Sequence, residues 1–163
     1  MIILNAFHNK KLQEDLWGTI CEDYYNTGQA EFIIRRDDGY EDVCTADGYF
    51  RNEPSEFEKK ALKNAKGHVL DVGCGPGAII LWLQNQGKFV TGIDNSPKVV
   101  KIARERGAKD VREMSFWDIN KLDIMFDSVI LIGNNMGLAG DLEKTEEMLK
   151  LFHEQTNDNA VLI

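Results

Sequence analysis

Residues 69–77 read Val-Leu-Asp-Val-Gly-Cys-Gly-Pro-Gly, and this stretch decides the fold. Its apolar start predicts a buried strand, and the alternating glycines that follow predict a tight turn. A helical pattern of apolar residues runs from Ile79 to Gln86, and a second apolar run at 88–93 ends at Asp94. This order of strand, glycine turn, helix and strand predicts a parallel α/β unit.

The same alternation continues toward the carboxyl end of the chain. Ser96 and Pro97 predict the start of a helix that ends at Gly107. Three more strands are predicted at 111–114, 126–132 and 160–163, and a helix at 141–155 with Leu142, Thr145, Leu149 and Phe152 facing inward. Repeated units of this kind give a parallel sheet with helices on both faces and a ligand site at the carboxyl ends of the strands.

The first third of the chain has a different pattern. Leu12, Leu16, Ile20 and Tyr24 recur every four residues and predict an amphipathic helix. Two extended runs joined at 37–39 predict a β-hairpin, which is followed by a second turn at 46–48. A capping box at 55–58 then predicts a helix to about residue 66. We therefore expect a helix-plus-hairpin cap over 1–54, followed by the α/β domain over 55–163.

Composition narrows the function classes. The 163 residues carry a net charge of −8, which argues against a broad nucleic-acid surface. Three cysteines without a paired spacing predict neither a disulfide framework nor a metal site. No apolar run approaches the ~20 residues that a membrane span needs. The expected setting is the cytoplasm.

The glycine turn predicts a ligand, and two ligand classes compete for it. The pattern Gly73-x-Gly75-x-x-Ala78 also fits the fingerprint of a dinucleotide site, which binds a pyrophosphate. Asp71 would repel a pyrophosphate but suits a ligand that carries an ammonium and a sulfonium, and Pro76 removes a donor. A nicotinamide-dependent oxidoreductase therefore stays as the weaker alternative.

Other candidate residues follow the later strands. Asp94 is placed to accept hydrogen bonds from both hydroxyls of a ribose. Trp117 and Asp118 predict an adenine pocket, with a core tryptophan beside an exposed acid as the alternative. Gly133 and Asn134 open a loop that either orients a methionine moiety or a methyl acceptor, or is a flexible connection.

Residues of the cap are candidates for the acceptor side of a site. Arg51 is placed to reach a carboxylate. Trp17, Tyr24, Tyr25 and Tyr40 are aromatics that either line an acceptor pocket or, as such residues more often do, form core.

Together these motifs resemble the class I S-adenosylmethionine-dependent methyltransferases, which have a Rossmann-like sheet. Residues 69–77 look like the family's first motif, and residues 90–104 are similar to its second. Residues 117–118 and 126–132 match the third and fourth motifs in placement, so that the resemblance covers about 55–163. It implies methyl transfer from S-adenosylmethionine, with S-adenosylhomocysteine as product. The acidic net charge and the compact cap favour a small-molecule acceptor.

The resemblance also implies a set of cofactor-binding residues and no metal. The set is Asp71, Gly73, Cys74, Gly75, Gly77, Asp94, Asn95, Trp117, Asp118, Gly133 and Asn134. By analogy the turn at 73–77 holds the methionine part, Asp94 binds the ribose, Asn95 lies beside the adenine and Asp118 binds its amine. No catalytic base can be named from the sequence.

Two departures from the family pattern matter. The family sheet has seven strands in the order 3-2-1-4-5-7-6, whereas this chain ends as the fifth strand begins, so a truncated sheet is expected. Its exposed fifth strand is expected to favour a homodimer or aggregation. No Asn-Pro-Pro-Tyr motif follows the fourth strand, which disfavours methylation of amines on nucleic-acid adenine. A module that binds the cofactor without turnover is a further alternative.

Overall fold

The computed structural model describes residues 15–36 and 38–163. Its N-terminal part comprises α1 (Leu16–Thr27), the antiparallel hairpin β1 (Glu31–Arg35) and β2 (Glu41–Thr45), and the short helix α2 (Asp47–Phe50). The expected helix and hairpin are both present. Leu12 and Asp37, which belong to those predictions, lie outside the described residues.

The remaining chain alternates strands and helices. In chain order the elements are α3 (Glu56–Leu62), β3 (His68–Val72), α4 (Ala78–Asn85), β4 (Phe89–Asp94), α5 (Pro97–Glu105), β5 (Val111–Glu113), a 3₁₀ helix (Phe116–Leu122), β6 (Phe126–Ile130), a second 3₁₀ helix (Asn135–Ala139), α6 (Leu142–Glu154) and β7 (Thr156–Leu162). This order confirms the predicted alternation.

The strands β3 to β7 form one parallel sheet in the order β5-β4-β3-β6-β7. From β3 the chain moves outward to β5 and then returns to the other side of β3. The strand order therefore reverses between β3 and β6, and a crevice is expected at the carboxyl ends of these two strands. The predicted parallel sheet with helices on both faces is confirmed.

The sheet buries both faces, because successive residues of β3 enter two separate apolar clusters. Val69 packs with Ile80 and Leu83 on one side. Leu70 packs with Phe126 on the other side. A strand that is apolar at nearly every position suits this double burial.

The N-terminal part packs on the α/β part through α1 and α5. Asp15 caps α1 by accepting from the Gly18 N–H at 2.9 Å, and its other carboxylate oxygen accepts from the Ser96 hydroxyl at 2.8 Å. Lys98 donates to Glu22 at 2.7 Å along the same contact. The division of the chain at residue 54 into two domains stays a prediction.

Four local predictions are wrong. Leu142 is 89% exposed rather than inward-facing, because Asp141 caps the helix there and the buried side chains come later, at Met148 and Phe152. The turn predicted at 46–48 is the helix α2.

The helix α3 ends at Leu62, before residue 66, and Lys63 is its C-terminal cap. Strand β7 begins at Thr156 rather than at 160, because the polar residues at its start also belong to the strand that pairs with β6. The register of this pairing is irregular between Phe126 and Ser128. The end of this helix and the start of this strand cannot be located from the sequence alone, because the residues there are polar or belong to short patterns. The burial of each residue in the structure is needed to locate them.

No helix within residues 15–36 and 38–163 combines the length and the apolar character that crossing a membrane would require.

Candidate functional site

A cavity of about 630 Å³ lies at the carboxyl ends of β3, β4, β5 and β6. Its walls come from the turn after β3, the end of β4, the segment after β5 and the loop after β6. The N-terminal part also contributes to the lining, with Trp17, Tyr49 and Arg51 among its residues. This volume is within the range of small-molecule sites, and the position is the one that the strand order predicts.

The glycine turn after β3 brings its backbone to the cavity. Gly73 and Gly75 have φ of 66° and 56°, a region that a side chain disfavours. The N–H groups of Gly73 and Cys74 donate to the Ile93 carbonyl at 2.9 and 3.0 Å, which fixes the turn against β4. A Cβ on Gly75 would meet no atom within 4 Å, so Gly75 faces open space.

Asp71 lies in the cavity wall near the end of β3 and is only 3% exposed. Its Oδ2 has no hydrogen-bond partner among the described residues. Burial, reinforced by the nearby charge of Asp94, raises the pKa of the Asp71 carboxyl to about 7. An orphaned carboxylate oxygen of this kind is costly in an empty cavity and suits a cationic or hydrogen-donating ligand.

Asp94 ends β4, and backbone N–H groups hold its side chain. Its Oδ1 accepts from the Ser96 N–H at 2.9 Å and its Oδ2 from the Gly75 N–H at 3.1 Å. Burial raises the pKa of the Asp94 carboxyl, and these hydrogen bonds oppose the rise. The carboxylate is therefore fixed in orientation at the cavity, where its remaining lone pairs can accept from a ligand.

The loop after β6 meets the glycine turn through Asn135 rather than Asn134. The Asn135 amide donates to the carbonyls of Val72 and Gly73 at 2.6 and 3.0 Å. Asn135 and Gly133 line the cavity, whereas Asn134 does not and sits in the left-handed region with φ of 69°. Two adjacent asparagines at a strand end are alike in sequence, and only the backbone turn between them decides which side chain faces inward.

Three other residues of the predicted set lie outside the cavity lining. Trp117 is 40% exposed, and Asp118 pairs with Lys121 at 2.6 Å. Ser115 caps the 3₁₀ helix there by accepting from the Trp117 N–H, and Phe116 lines the cavity instead.

Gly77 is the third of these residues. A Cβ on it would lie 3.3 Å from the Ala103 Cβ, so this glycine serves the packing of the turn against α5. The remaining predicted residues, which are Asp71, Gly73, Cys74, Gly75, Asp94, Asn95 and Gly133, come together in the cavity wall.

The N-terminal part contributes cavity-lining residues that the sequence does not single out, or for which the sequence leaves the choice between a pocket role and a core role open. Trp17, which the sequence places either in an acceptor pocket or in the core, contacts Tyr49 edge to face with ring centroids 4.5 Å apart. Arg51 donates from Nη2 to Glu58 Oε1 at 2.5 Å. Tyr49 and Glu58 were not singled out, and the one available signal for Glu58 was its place in the capping box.

The cavity is acidic on balance. Its charged lining residues are the carboxylates of Glu58, Asp71 and Asp94 and the single guanidinium of Arg51, counted over residues 15–36 and 38–163. Within that same part of the chain, no group of three or more His, Cys, Asp or Glu side chains is arranged to hold a metal ion.

Arg106 links the N-terminal part of the chain to the glycine turn. Its Nη1 donates to the Pro76 carbonyl at 2.5 Å and its Nη2 to the Phe50 carbonyl at 2.8 Å. Its guanidinium also lies 5.1 Å from the centroid of the Phe50 ring. Phe50 lies between Tyr49 and Arg51 in the sequence, and both of these residues line the cavity. The Arg106 side chain therefore connects this segment to the glycine turn.

We expect the Arg106→Gln variant to lose roughly 1–3 kcal/mol of unfolding free energy, because two carbonyls lose a charged donor. Hydrogen exchange at residues 48–51 should accelerate more than exchange in β3. The matched control is Arg112→Gln, since Arg112 is partly exposed and pairs with Asp110 away from the cavity lining. Equal exchange rates at 48–51 in wild type and the Arg106 variant would contradict this role.

Comparisons with known proteins agree with this geometry. The methyltransferase domain family matches residues 69–158. A methyltransferase described as uncharacterized from Staphylococcus carnosus is 31% identical over 109 residues, which are 67% of this chain and 52% of the relative. Glycine N-methyltransferase from Oryctolagus cuniculus is 27% identical over 139 residues, 71% of this chain and 47% of the relative.

Among solved structures, the chain resembles a SAM-dependent methyltransferase from Bacteroides fragilis in complex with S-adenosyl-L-homocysteine. The TM-score is 0.80 at 29% identity, over 91% of this chain and 63% of that one. The chain spans about half the length of these two curated relatives.

Proposed function

The chain belongs to the S-adenosylmethionine-dependent methyltransferase family, and from this premise we propose that it transfers a methyl group from S-adenosylmethionine to a small-molecule acceptor. The observation that carries the proposal is the buried Asp71 oxygen, which has no hydrogen-bond partner among the described residues, near Gly75, which faces open space. A ligand with an ammonium and an adenosine satisfies both features.

The residues of the cavity fit this cofactor. The Asp71 carboxylate is suited to the ammonium of the methionine part, and Asp94 is suited to accept from ribose hydroxyls. The space at Gly75 and Gly133, where an added Cβ would meet no atom within 4 Å, allows the backbone to approach the ligand. Three carboxylates against one guanidinium favour a ligand of net positive charge and oppose a pyrophosphate.

The chemistry that the protein must add is mainly positioning. The bound cofactor supplies a methyl group that its sulfonium already activates. Trp17 and Tyr49 line the cavity and are placed to restrict the position of the acceptor. Alignment of a nucleophile can be worth up to ~7–11 kcal/mol of the barrier. A general base is needed only for an acceptor that is protonated at the working pH.

A small-molecule acceptor is supported by the volume of the cavity and by its acidic lining. One relative is named for the methylation of glycine, a small acceptor. The acidic balance of the whole chain, with a net charge of −8, adds support because a nucleic-acid surface needs clustered cations. A module that binds the cofactor without turnover is the second candidate.

The test is release of S-adenosylhomocysteine from S-adenosylmethionine in the presence of small acceptors that offer nitrogen, oxygen, sulfur or carbon nucleophiles. We expect one acceptor class to raise the release rate well above the rate without acceptor. Tight cofactor binding with no stimulated release from any class would favour the binding module instead.

A further inference from the structure

Half-exposed apolar side chains lie on two walls of the cavity. Tyr49, which belongs to α2, is 42% exposed, and Leu138, in the loop after β6, is 47% exposed. Both residues line the cavity. An exposed leucine on an open surface needs no explanation, whereas apolar side chains that line a cavity give an apolar ligand a surface against which it can leave water.

Given the proposed function, on which this inference rests, β3, the glycine turn and the end of β4 hold the cofactor. Asp71 belongs to β3, and Asp94 ends β4. The side chains of the N-terminal part and of the loop after β6 are then left to the methyl acceptor. We propose that the acceptor carries an apolar body, an alkyl chain or an aromatic ring, which binds against Tyr49 and Leu138.

Leu138 lies directly beside the glycine turn. A Cβ on Gly73 would be 3.1 Å from Leu138 Cδ1 and 2.8 Å from Asn135 Nδ2. The Asn135 amide donates to the carbonyls of Val72 and Gly73, so the loop that carries Leu138 is fixed at the end of β3. Leu138 is therefore placed next to the proposed cofactor and not on a remote surface.

Tyr49 is held in the opposite part of the chain by other aromatic rings. Trp17 contacts it edge to face with ring centroids 4.5 Å apart, and Phe32 lies edge to face with Trp17 at 6.0 Å. Burial raises the pKa of the Tyr49 hydroxyl, so the side chain is uncharged at neutral pH. An uncharged ring in a fixed orientation suits packing with an apolar or aromatic group.

The side-chain charges of these two walls neutralise each other. Among their lining residues in the described part of the chain, the charged ones are Arg51 and Glu58, which pair at 2.5 Å. Both amide hydrogens of Asn135 already serve backbone carbonyls. The two walls therefore give a polar acceptor body little compensation for its lost water, whereas an apolar body loses no hydrogen bonds there.

Calorimetric titration of the protein saturated with S-adenosylhomocysteine tests the apolar body without requiring turnover. The two probes are 2-phenylethylamine and ethanolamine, which share an aminoethyl group and differ in a phenyl ring against a hydroxyl. Wild type should bind 2-phenylethylamine about tenfold or more tightly, because the ring buries apolar surface that the hydroxyl lacks.

Variants of the loop after β6 assign this preference to one side chain. Leu138→Ser should reduce the preference at least about threefold, because one of the two apolar contacts becomes polar. Leu138→Met should retain it, since methionine keeps an apolar side chain of similar volume. The matched control is Met136→Ser, because Met136 belongs to the same 3₁₀ helix and is 44% exposed but lies outside the cavity lining. This control should keep the wild-type preference.

The outcomes separate this inference from the proposed function. Equal binding of the two amines by wild type, or binding of neither, would overturn the inference alone if another acceptor stimulates release of S-adenosylhomocysteine. A preference that Leu138→Ser leaves unchanged, or that Met136→Ser reduces equally, would also overturn it. If the preference follows Leu138 but no acceptor class stimulates release, the proposed function fails, and the apolar surface then serves a ligand that is not methylated.

Discussion

Replacing Asp71 with asparagine is expected to stabilise the ligand-free protein above pH 7 and to weaken binding of S-adenosylhomocysteine. Burial and the charge of Asp94 raise the pKa of Asp71 from 3.8 to about 7 in the folded protein. At pH values between these two pKa values, Asp71 is therefore protonated in the folded state and ionised in the unfolded state. The contribution of Asp71 to wild-type stability should therefore fall as pH rises from about 4 to about 7 and then stay level.

An asparagine cannot ionise, so the Asp71→Asn variant should not undergo this loss of stability. The gain of Asp71→Asn over wild type should be small near pH 4 and reach roughly 2–4 kcal/mol above pH 7. Binding should change in the opposite direction, because the variant offers no charge to the ligand's ammonium. At pH 8 we expect the dissociation constant for S-adenosylhomocysteine to rise about tenfold or more.

Denaturant unfolding across pH 4–9, with parallel titrations, measures both effects. The matched control is Asp110→Asn at the start of β5. Burial opposes ionisation there, but hydrogen bonds from Arg112 and Thr91 hold the pKa of Asp110 below its usual value. Its asparagine variant should lose stability at neutral pH. An Asp71→Asn variant with the wild-type pH profile would contradict the burial argument.

The second large effect is expected for Asp94→Ala, which should weaken binding of S-adenosylhomocysteine at least about tenfold. The variant has no carboxylate to accept hydrogen bonds from the ribose hydroxyls, so the loss should follow from these missing bonds. Loss of the side chain also leaves the N–H groups of Gly75 and Ser96 without their acceptor.

Calorimetry on Asp94→Ala and on Asp141→Ala measures the effect against a control. Asp141 also accepts from a backbone N–H, as the cap of α6, and it lies outside the cavity lining. Its variant should lose some stability but no affinity. Wild-type affinity in a folded Asp94→Ala protein would remove the ribose assignment.

The sheet could be predicted from the sequence because its signals are local. The apolar run at 69–72 and the glycines after it define a strand and its turn within nine residues. The parallel sheet followed from the repeated units, whereas the strand order came from the resemblance to the family. The position of the cavity followed from the parallel sheet, because ligands bind at the carboxyl ends of its strands. Asp71 and Asp94 were found because each stands at the end of a predicted strand.

Residues placed by distant contacts could not be predicted in this way. Asn135 enters the cavity wall through bonds to backbone carbonyls more than sixty residues earlier in the chain. Arg106 holds Phe50 across 56 residues. Phe116 takes the place predicted for Trp117 because a hydroxyl cap sets the direction of a short helix. None of these contacts leaves a periodic trace in the sequence.

The most direct test of the account is calorimetric titration of the purified chain with S-adenosylhomocysteine and, in parallel, with NAD. We expect S-adenosylhomocysteine to bind with a dissociation constant in roughly the micromolar range and NAD not to bind. Binding of NAD without binding of S-adenosylhomocysteine would contradict it.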